Sequence, residues 1–266
     1  MAWTVRELPE TWPDRAGLRQ LPRIVKGILR PQPVELPELP GRYPRYLRQG
    51  FHGMPNGYYS AMQAGAYNRG FEVSMLGMTG RARRRAAAWL AGAGARRGLD
   101  LGCGTGRQAQ AMRDAGIEHV VGMDPCPYLL NVAATEFPEV TFVQGLAEDN
   151  ALVDDDFDAV AACFLFHELP SAVADQALAE IRRVLRPGGR LVITEPSPAQ
   201  LKRSLPRLTL SGPRSVWFGA LARIVYEPYV REWHARDVVT WLRDNGFQVL
   251  QDSDRMPFRV LRCRRL

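Results

Sequence analysis

From residue 98 onward, short apolar runs alternate with longer stretches in which apolar positions recur every three or four residues. The runs are GLDLG (98–102), HVVGMD (119–124), VTFVQG (140–145), FDAVAACFLF (157–166), GRLVITEP (189–196), FQVLQD (247–252) and PFRVLRCR (257–264). The stretches between most of them have helical character, among them RQAQAMRDAG, PYLLNVAATEF, AVADQALAEIRRVLR and ARDVVTWLRDNG. Strands alternating with helices predict crossover units, hence an α/β fold with a doubly wound, mostly parallel sheet and helices on both faces. The last two runs are joined by SDRM, too short for a helix, so they are expected as an antiparallel hairpin at the sheet edge, which brings the strands to seven.

Before this region the pattern differs. Residues 1–57 carry prolines at 9, 13, 22, 31, 33, 37, 40, 44 and 55, a density that excludes long helices and central strands. The segment reads as an arm or irregular cap, with Trp3, Trp12, Ile24, Val25, Ile28, Leu29, Tyr43, Tyr46 and Phe51 available to dock on a core. Residues 58–97 lack proline and predict a cap of two helices, the second ending in RRRAAAWLAG. Residues 98–266 form the core, interrupted at 197–234 by a proline- and aromatic-bearing insertion. That insertion is expected as a lid or substrate wall, against the plainer alternative of a padded surface helix.

The densest chemistry lies in LDLGCGTGRQAQAM, where glycines stand between a strand and a helix. There, positive φ and bare backbone let a ligand approach the main chain; a flexible surface turn is the alternative. A nicotinamide fingerprint would place its third glycine where this chain has Arg107. The spacing is instead GxGxG, with Asp100 two residues ahead, suited to a ligand presenting an ammonium group rather than a pyrophosphate. Asp124 ends the next strand at about the distance from the glycines at which an acid binds ribose hydroxyls. A turn-forming role for Asp100 and a helix-capping role for Asp124 are the structural alternatives.

Charge narrows the picture. The net charge is +7, but Lys+Arg against Asp+Glu is 16 to 6 in residues 1–97, 6 to 16 in 98–200 and 13 to 6 in 201–266. A nucleic-acid enzyme spreads positive charge around its cleft, whereas here the glycine turn lies in the acidic segment, so nucleic acid is not the expected partner. Lys26 and Lys202 are the two lysines, an arginine excess that reads as codon bias. Cys103, Cys126, Cys163 and Cys263 form no CxxC pair, which suggests neither a zinc site nor a disulfide framework. With no signal-like N-terminus and no long uncharged apolar run, a cytoplasmic chain without a membrane span is expected.

LDLGCGTG, VVGMDPCPYLL, FVQGLAED, DDDFDAVAACFLFHELP, EIRRVLRPGGRLVITEP and LRDNGFQV together resemble the class I S-adenosylmethionine-dependent methyltransferases of the type 11 group, over roughly residues 58–266. Tyr58 and Tyr59 before the core, and Glu227 to Tyr229 before the last helix, resemble uncharacterised bacterial members. The resemblance implies a Rossmann-like sheet and S-adenosyl-L-methionine as cofactor. It implies that Asp100, Gly102 and Gly104 hold the methionine part and Asp124 the ribose, with Cys103, Gly106, Pro125, Phe164 and Tyr59 completing the cofactor set. Leu146 stands where the group often has an acid for the adenine amino group, which leaves adenine to Ala147, Glu148 and apolar contact from Met123 or Pro125.

Methyl transfer of this kind is an in-line displacement in which positioning supplies much of the rate. A general base is needed only where the acceptor loses a proton. The candidate is His167 in FLFHELP, as a catalytic base or, alternatively, a packing residue. Glu168 is a second base, a cofactor contact or a helix-capping acid. His52, His119 and His234 lack metal-type spacing and read as structural or exposed. Tyr58, Tyr59 and Tyr67 are expected on one helix, over the cofactor or in the core. The expected function is methylation of a small, apolar or amphipathic molecule, because cap and insertion are rich in aromatic residues. The alternatives are a nucleic-acid methyltransferase, disfavoured by FHELP in place of an NPPY-like motif, and an accessory protein that binds the cofactor without transfer.

Overall fold

Strands β1 (Arg97–Leu101), β2 (His119–Asp124), β3 (Thr141–Gln144), β4 (Phe157–Cys163), β5 (Leu185–Pro196), β6 (Phe247–Arg255) and β7 (Phe258–Arg265) form one sheet. Their order is β3-β2-β1-β4-β5-β7-β6. This is a computed structural model, which describes residues 1–9, 43–48, 52, 58–92, 94–225 and 227–266. The first five strands pair in parallel, while β7 runs antiparallel between β5 and β6. The edge hairpin expected from the short SDRM link is present, with longer strands and its turn at Met256 and Pro257. The order reverses between β1 and β4, the switch point beyond which ligands of open α/β sheets bind.

Ten helices are described: α1 (Ala61–Ser74), α2 (Met78–Ala91), α3 (Arg107–Asp114), α4 (Pro127–Glu136), α5 (Ser171–Val184), α6 (Ala199–Lys202), α7 (Leu205–Thr209), α8 (Pro213–Ile224), α9 (Val230–Ala235) and α10 (Val238–Asp244). The two-residue period of the strands divides their side chains between two cores. Ala159, Ala161 and Val192 face Ala87 and Leu90 of α2, Met112 of α3 and Leu130 of α4. Val160, Ala162, Leu191 and Ile193 face Leu178 and Ile181 of α5 and Leu242 of α10. Burial at about 25 cal/mol per Å² of apolar surface makes these cores the main stabilising element.

Three elements differ from the sequence expectation. The apolar run 157–166 does not stay extended: β4 stops at Cys163, and Phe164 adopts a left-handed φ of 59° before a 3-10 turn at Phe166–Glu168. Tyr58 and Tyr59 precede α1 rather than riding on it, because Ser60 caps the helix by accepting the Gln63 N–H at 3.2 Å. The helix expected across 235–246 is broken at Arg236, and Asp237 restarts it by accepting the Thr240 N–H.

The described arm residues dock. The Trp3 N–H donates to the Phe142 carbonyl at 2.5 Å on the outer strand β3, and its indole N–H donates to Asn131. Tyr46 is buried and Tyr43 half-buried. Trp12, Ile24, Val25, Ile28, Leu29 and Phe51 lie outside the described residues.

Candidate functional site

Beyond Leu101 the chain turns into α3 through Gly102, Gly104 and Gly106, whose φ values are 71°, 51° and 79°. The N–H groups of Gly102 and Cys103 both donate to the Met123 carbonyl at 2.9 Å, and that of Gly104 donates to Asp124 Oδ2 at 2.9 Å. These bonds tie the turn to the end of β2. The glycines divide by role. A Cβ on Gly104 would meet nothing within 4 Å, so this bare backbone faces open space. A Cβ on Gly106 would stand 2.6 Å from the Phe142 ring, so that glycine serves close packing of α3 on the sheet.

Asp100 is fully buried beneath the turn. Its Oδ2 accepts the Ala109 N–H at 2.9 Å, while Oδ1 has no partner among the described residues. Burial pushes this carboxyl up to about 7, against the Ala109 hydrogen bond and nearby Arg83. Asp124 accepts the N–H groups of Gly104 and Cys126, and burial pushes it up to about 6. The Asp124 carboxylate therefore shapes the turn and borders the cavity beside it; it is not the helix cap that was its structural alternative, since Cys126 holds that position at α4.

That cavity, of about 130 Å³, opens at the carboxyl ends of β1, β2 and β4. Asp100, Gly102, Cys103, Gly104, Asp124, Pro125, Ala147, Phe164 and Tyr59 line it, which places most of the expected cofactor set together. Gly106 and Glu148 are not among its walls: Gly106 is held in packing, and the Glu148 carboxylate instead accepts the Tyr46 hydroxyl at 2.8 and 3.0 Å. Tyr46 and Leu47 thus close a side of the cavity from an arm whose distance in sequence gave no signal. Arg83 on α2 also lines it, an unanticipated cation paired with Glu72. Its position within RARRR gave no means to single it out.

A second cavity, of about 350 Å³, lies between α1, the end of β5 and the insertion helices α6, α8 and α9. Phe71, Met75, Leu221, Val225 and Val230 give it apolar walls. Tyr67, Phe71, Phe164 and Glu168 border both cavities. Phe164 reaches this place because of its left-handed backbone, a conformation costing about 1–3 kcal/mol of the kind that clusters at functional sites.

Histidines and carboxylates gather at one end of the second cavity. His167 Nδ1 lies 2.5 Å from Glu195 Oε2, and its Nε2 lies 3.7 Å from Glu227 Oε1. Burial works against the charged imidazole, but Glu195 and Glu227 outweigh it and raise His167 to about 9. Burial likewise pushes Glu227 up, yet His167 and His52 hold it at about 2. His52 Nε2 lies 3.4 Å from Glu227 and 3.6 Å from Glu168. Glu168 is not a helix cap, since Pro170 occupies that position at α5, and its carboxyl is pushed up by burial. His52 and His234 line the cavity, contrary to the structural or exposed role expected of them; His119 stays exposed at the start of β2. Among the described residues no group of three or more His, Cys, Asp or Glu is placed to hold a metal ion, and no helix is long and apolar enough to cross a membrane.

The sheet order is that of Rossmann-like methyltransferase folds. Magnesium protoporphyrin IX methyltransferase from Synechocystis PCC 6803, solved with bound SAH, shares this fold at a TM-score of 0.53 and 18% identity, over 74% of this chain and 87% of that one. Residues 99–193 match the family model described as "Methyltransferase domain". An uncharacterized methyltransferase of Mycobacterium tuberculosis (strain H37Rv) is 42% identical over 103 residues, 39% of this chain and 41% of the relative. The alignment therefore spans about two fifths of that relative's length. A demethylmenaquinone methyltransferase of Renibacterium salmoninarum is 29% identical over 191 residues, covering 66% and 76%. Residues 99–193 thus resemble a methyltransferase domain, and the sheet around them has the fold of an S-adenosylmethionine-dependent methyltransferase.

Proposed function

We propose that the first cavity binds S-adenosylmethionine and that its methyl group passes to a small acceptor with an apolar body in the second. The observation that carries this reading is the shared wall: Tyr67, Phe71, Phe164 and Glu168 border both cavities at the switch point of the sheet. The residues of the first cavity fit the cofactor. Oδ1 of Asp100, without a partner among the described residues, suits its ammonium group, and the Arg83 guanidinium suits its carboxylate. Asp124 is placed for ribose hydroxyls, the bare backbone at Gly104 admits the ligand, and Pro125, Met123, Leu129 and Ala147 offer apolar contact to adenine.

When bound, the cofactor supplies a methyl group already activated on a sulfonium. The chain then has to position: holding two reactants in line is worth up to about 7–11 kcal/mol. Insertion residues Leu201, Leu221, Ala222 and Val225 wall the acceptor and exclude water, the role we assign to 197–234. The same reading divides the chain into an arm (1–57), a helical cap (58–97) and a core (98–266). His167, pinned between two carboxylates, acts as a fixed cation and hydrogen-bond donor near neutral pH rather than as a base. The relative named demethylmenaquinone methyltransferase supports a small organic acceptor.

Calorimetry with S-adenosylmethionine tests the first half: micromolar binding lost in Asp124→Ala is expected. Incubation with a metabolite extract, followed by a search for compounds heavier by about 14 mass units, tests the second. Binding without any methylated product would favour an accessory role; no binding would overturn the reading.

A further inference from the structure

His234 on α9 ends the insertion and is buried, with 9% of its surface exposed. Its Nε2 lies 3.1 Å from the Pro196 carbonyl oxygen at the end of β5. A carbonyl accepts only, so Nε2 carries the hydrogen and the tautomer is set. The other ring nitrogen, Nδ1, is buried and has no hydrogen-bond partner among the described residues. Buried side-chain nitrogens are ordinarily paired, and an orphan on a residue that lines a cavity calls for a partner from outside the chain. His234 lines the second cavity, at the end where His167 and Glu227 also lie.

The charges around it favour the neutral ring. Burial and the His167 cation push His234 down, while the Pro196 carbonyl, Glu195 and Glu227 act in the opposite sense, and the net direction is down. His167 is its converse: Nδ1 is taken by Glu195 and Nε2 faces Glu227. Two histidines of one cavity thus have separate tasks, His167 as a held donor and His234 as a lone pair.

We propose that His234 Nδ1 is the proton acceptor toward the methyl acceptor, which therefore presents an O–H or N–H at its reacting atom. This rests on reading the second cavity as the acceptor site. In the step, the acceptor's oxygen or nitrogen forms its bond to the methyl carbon as the carbon–sulfur bond breaks. The electron pair of that bond remains on sulfur, the acceptor's proton passes to Nδ1, and solvent later takes it from the imidazolium.

The test uses 2-naphthol and 2-methylnaphthalene, similar apolar bodies that differ in one hydroxyl. In equilibrium dialysis with S-adenosylhomocysteine present, the wild type is expected to hold 2-naphthol about tenfold more tightly than 2-methylnaphthalene. His234→Gln keeps a donor for Pro196 and is expected to bind the two probes within about twofold of one another. In ¹⁵N spectra of histidine-labelled wild type, 2-naphthol should move the Nδ1 signal of His234 and leave Nε2–H in place; this readout needs no variant to fold. An equal hydroxyl preference in wild type and His234→Gln, or an unmoved Nδ1 signal with the probe bound, overturns the proposal. So does retention of neither probe by a protein that binds S-adenosylhomocysteine. Failure of the wild type to bind S-adenosylhomocysteine at all overturns the functional reading instead.

Discussion

Glu195 Oε2 meets His167 Nδ1 at 2.5 Å, while Oε1 of the same carboxylate accepts the N–H groups of Leu165 and Phe166 at 3.0 and 2.9 Å. One buried acid therefore holds both the turn after β4 and the ring within it. Removing one partner of such a buried pair leaves the other uncompensated.

Glu195→Gln should lower stability by about 3–5 kcal/mol, read as a shifted urea midpoint at pH 7. The pH dependence has a definite sign. His167 is raised from 6.5 to about 9, so its stabilisation is fully present below 6.5 and is lost as pH rises through about 9. The stability gap between wild type and His167→Gln should narrow across that window. A gap independent of pH would show that the ring is neutral in the fold.

Asp100→Asn separates binding from stability. The buried carboxyl is raised from 3.8 to about 7, so it favours the fold least once ionised, above that range. At pH 8 the variant should be at least as stable as wild type by urea titration, yet bind S-adenosylmethionine tenfold or more weakly, a loss of about 1.4 kcal/mol or greater. In the wild type, ligand affinity should rise as pH increases toward and past 7, because the ammonium group calls for the ionised acid. Calorimetry at pH 6 and 8 decides it; a flat profile would count against Asp100 as its partner.

Gly104→Ala and Gly106→Ala should fail differently. The first adds a methyl group in open space at a left-handed φ of 51°, costing about 1–2 kcal/mol of strain and most of the cofactor affinity. The second drives a methyl group into Phe142 and Ala133, and should cost about 1–3 kcal/mol beyond the strain. Thermal melts beside calorimetry distinguish the two; equal melting temperatures with equal loss of binding would refute the division of roles.

Trp3→Ala tests how firmly the start of the chain is docked. The indole is buried against the α2–α3 side of the sheet and bonded to Asn131, so its removal should cost about 3 kcal/mol. A melt unchanged within a degree would mean that the arm contributes nothing to the fold.

The strand and helix alternation, the edge hairpin and the position of the glycine turn were legible in the chain. Each follows from local periodicity or from a link too short to cross the sheet. Asp100 and Asp124 could be singled out because they sit near strand ends flanking that turn, and both line the first cavity. Gly106 misled because a glycine that admits a neighbouring side chain and one that admits a ligand look alike in one dimension. The apolar letters of FLF likewise concealed that Phe164 leaves the strand.

Local spacing and apolar pattern establish which elements form and which ends of the strands carry the turn, since these depend on backbone preference and on neighbours a few residues away. The pairing of His167 with Glu195, the His234 nitrogen without a partner among the described residues, the place of Arg83 and the wall shared by two cavities join residues tens of positions apart. Their burial and charge exist once the chain has packed, because desolvation and Coulomb interaction act through space and not along the backbone.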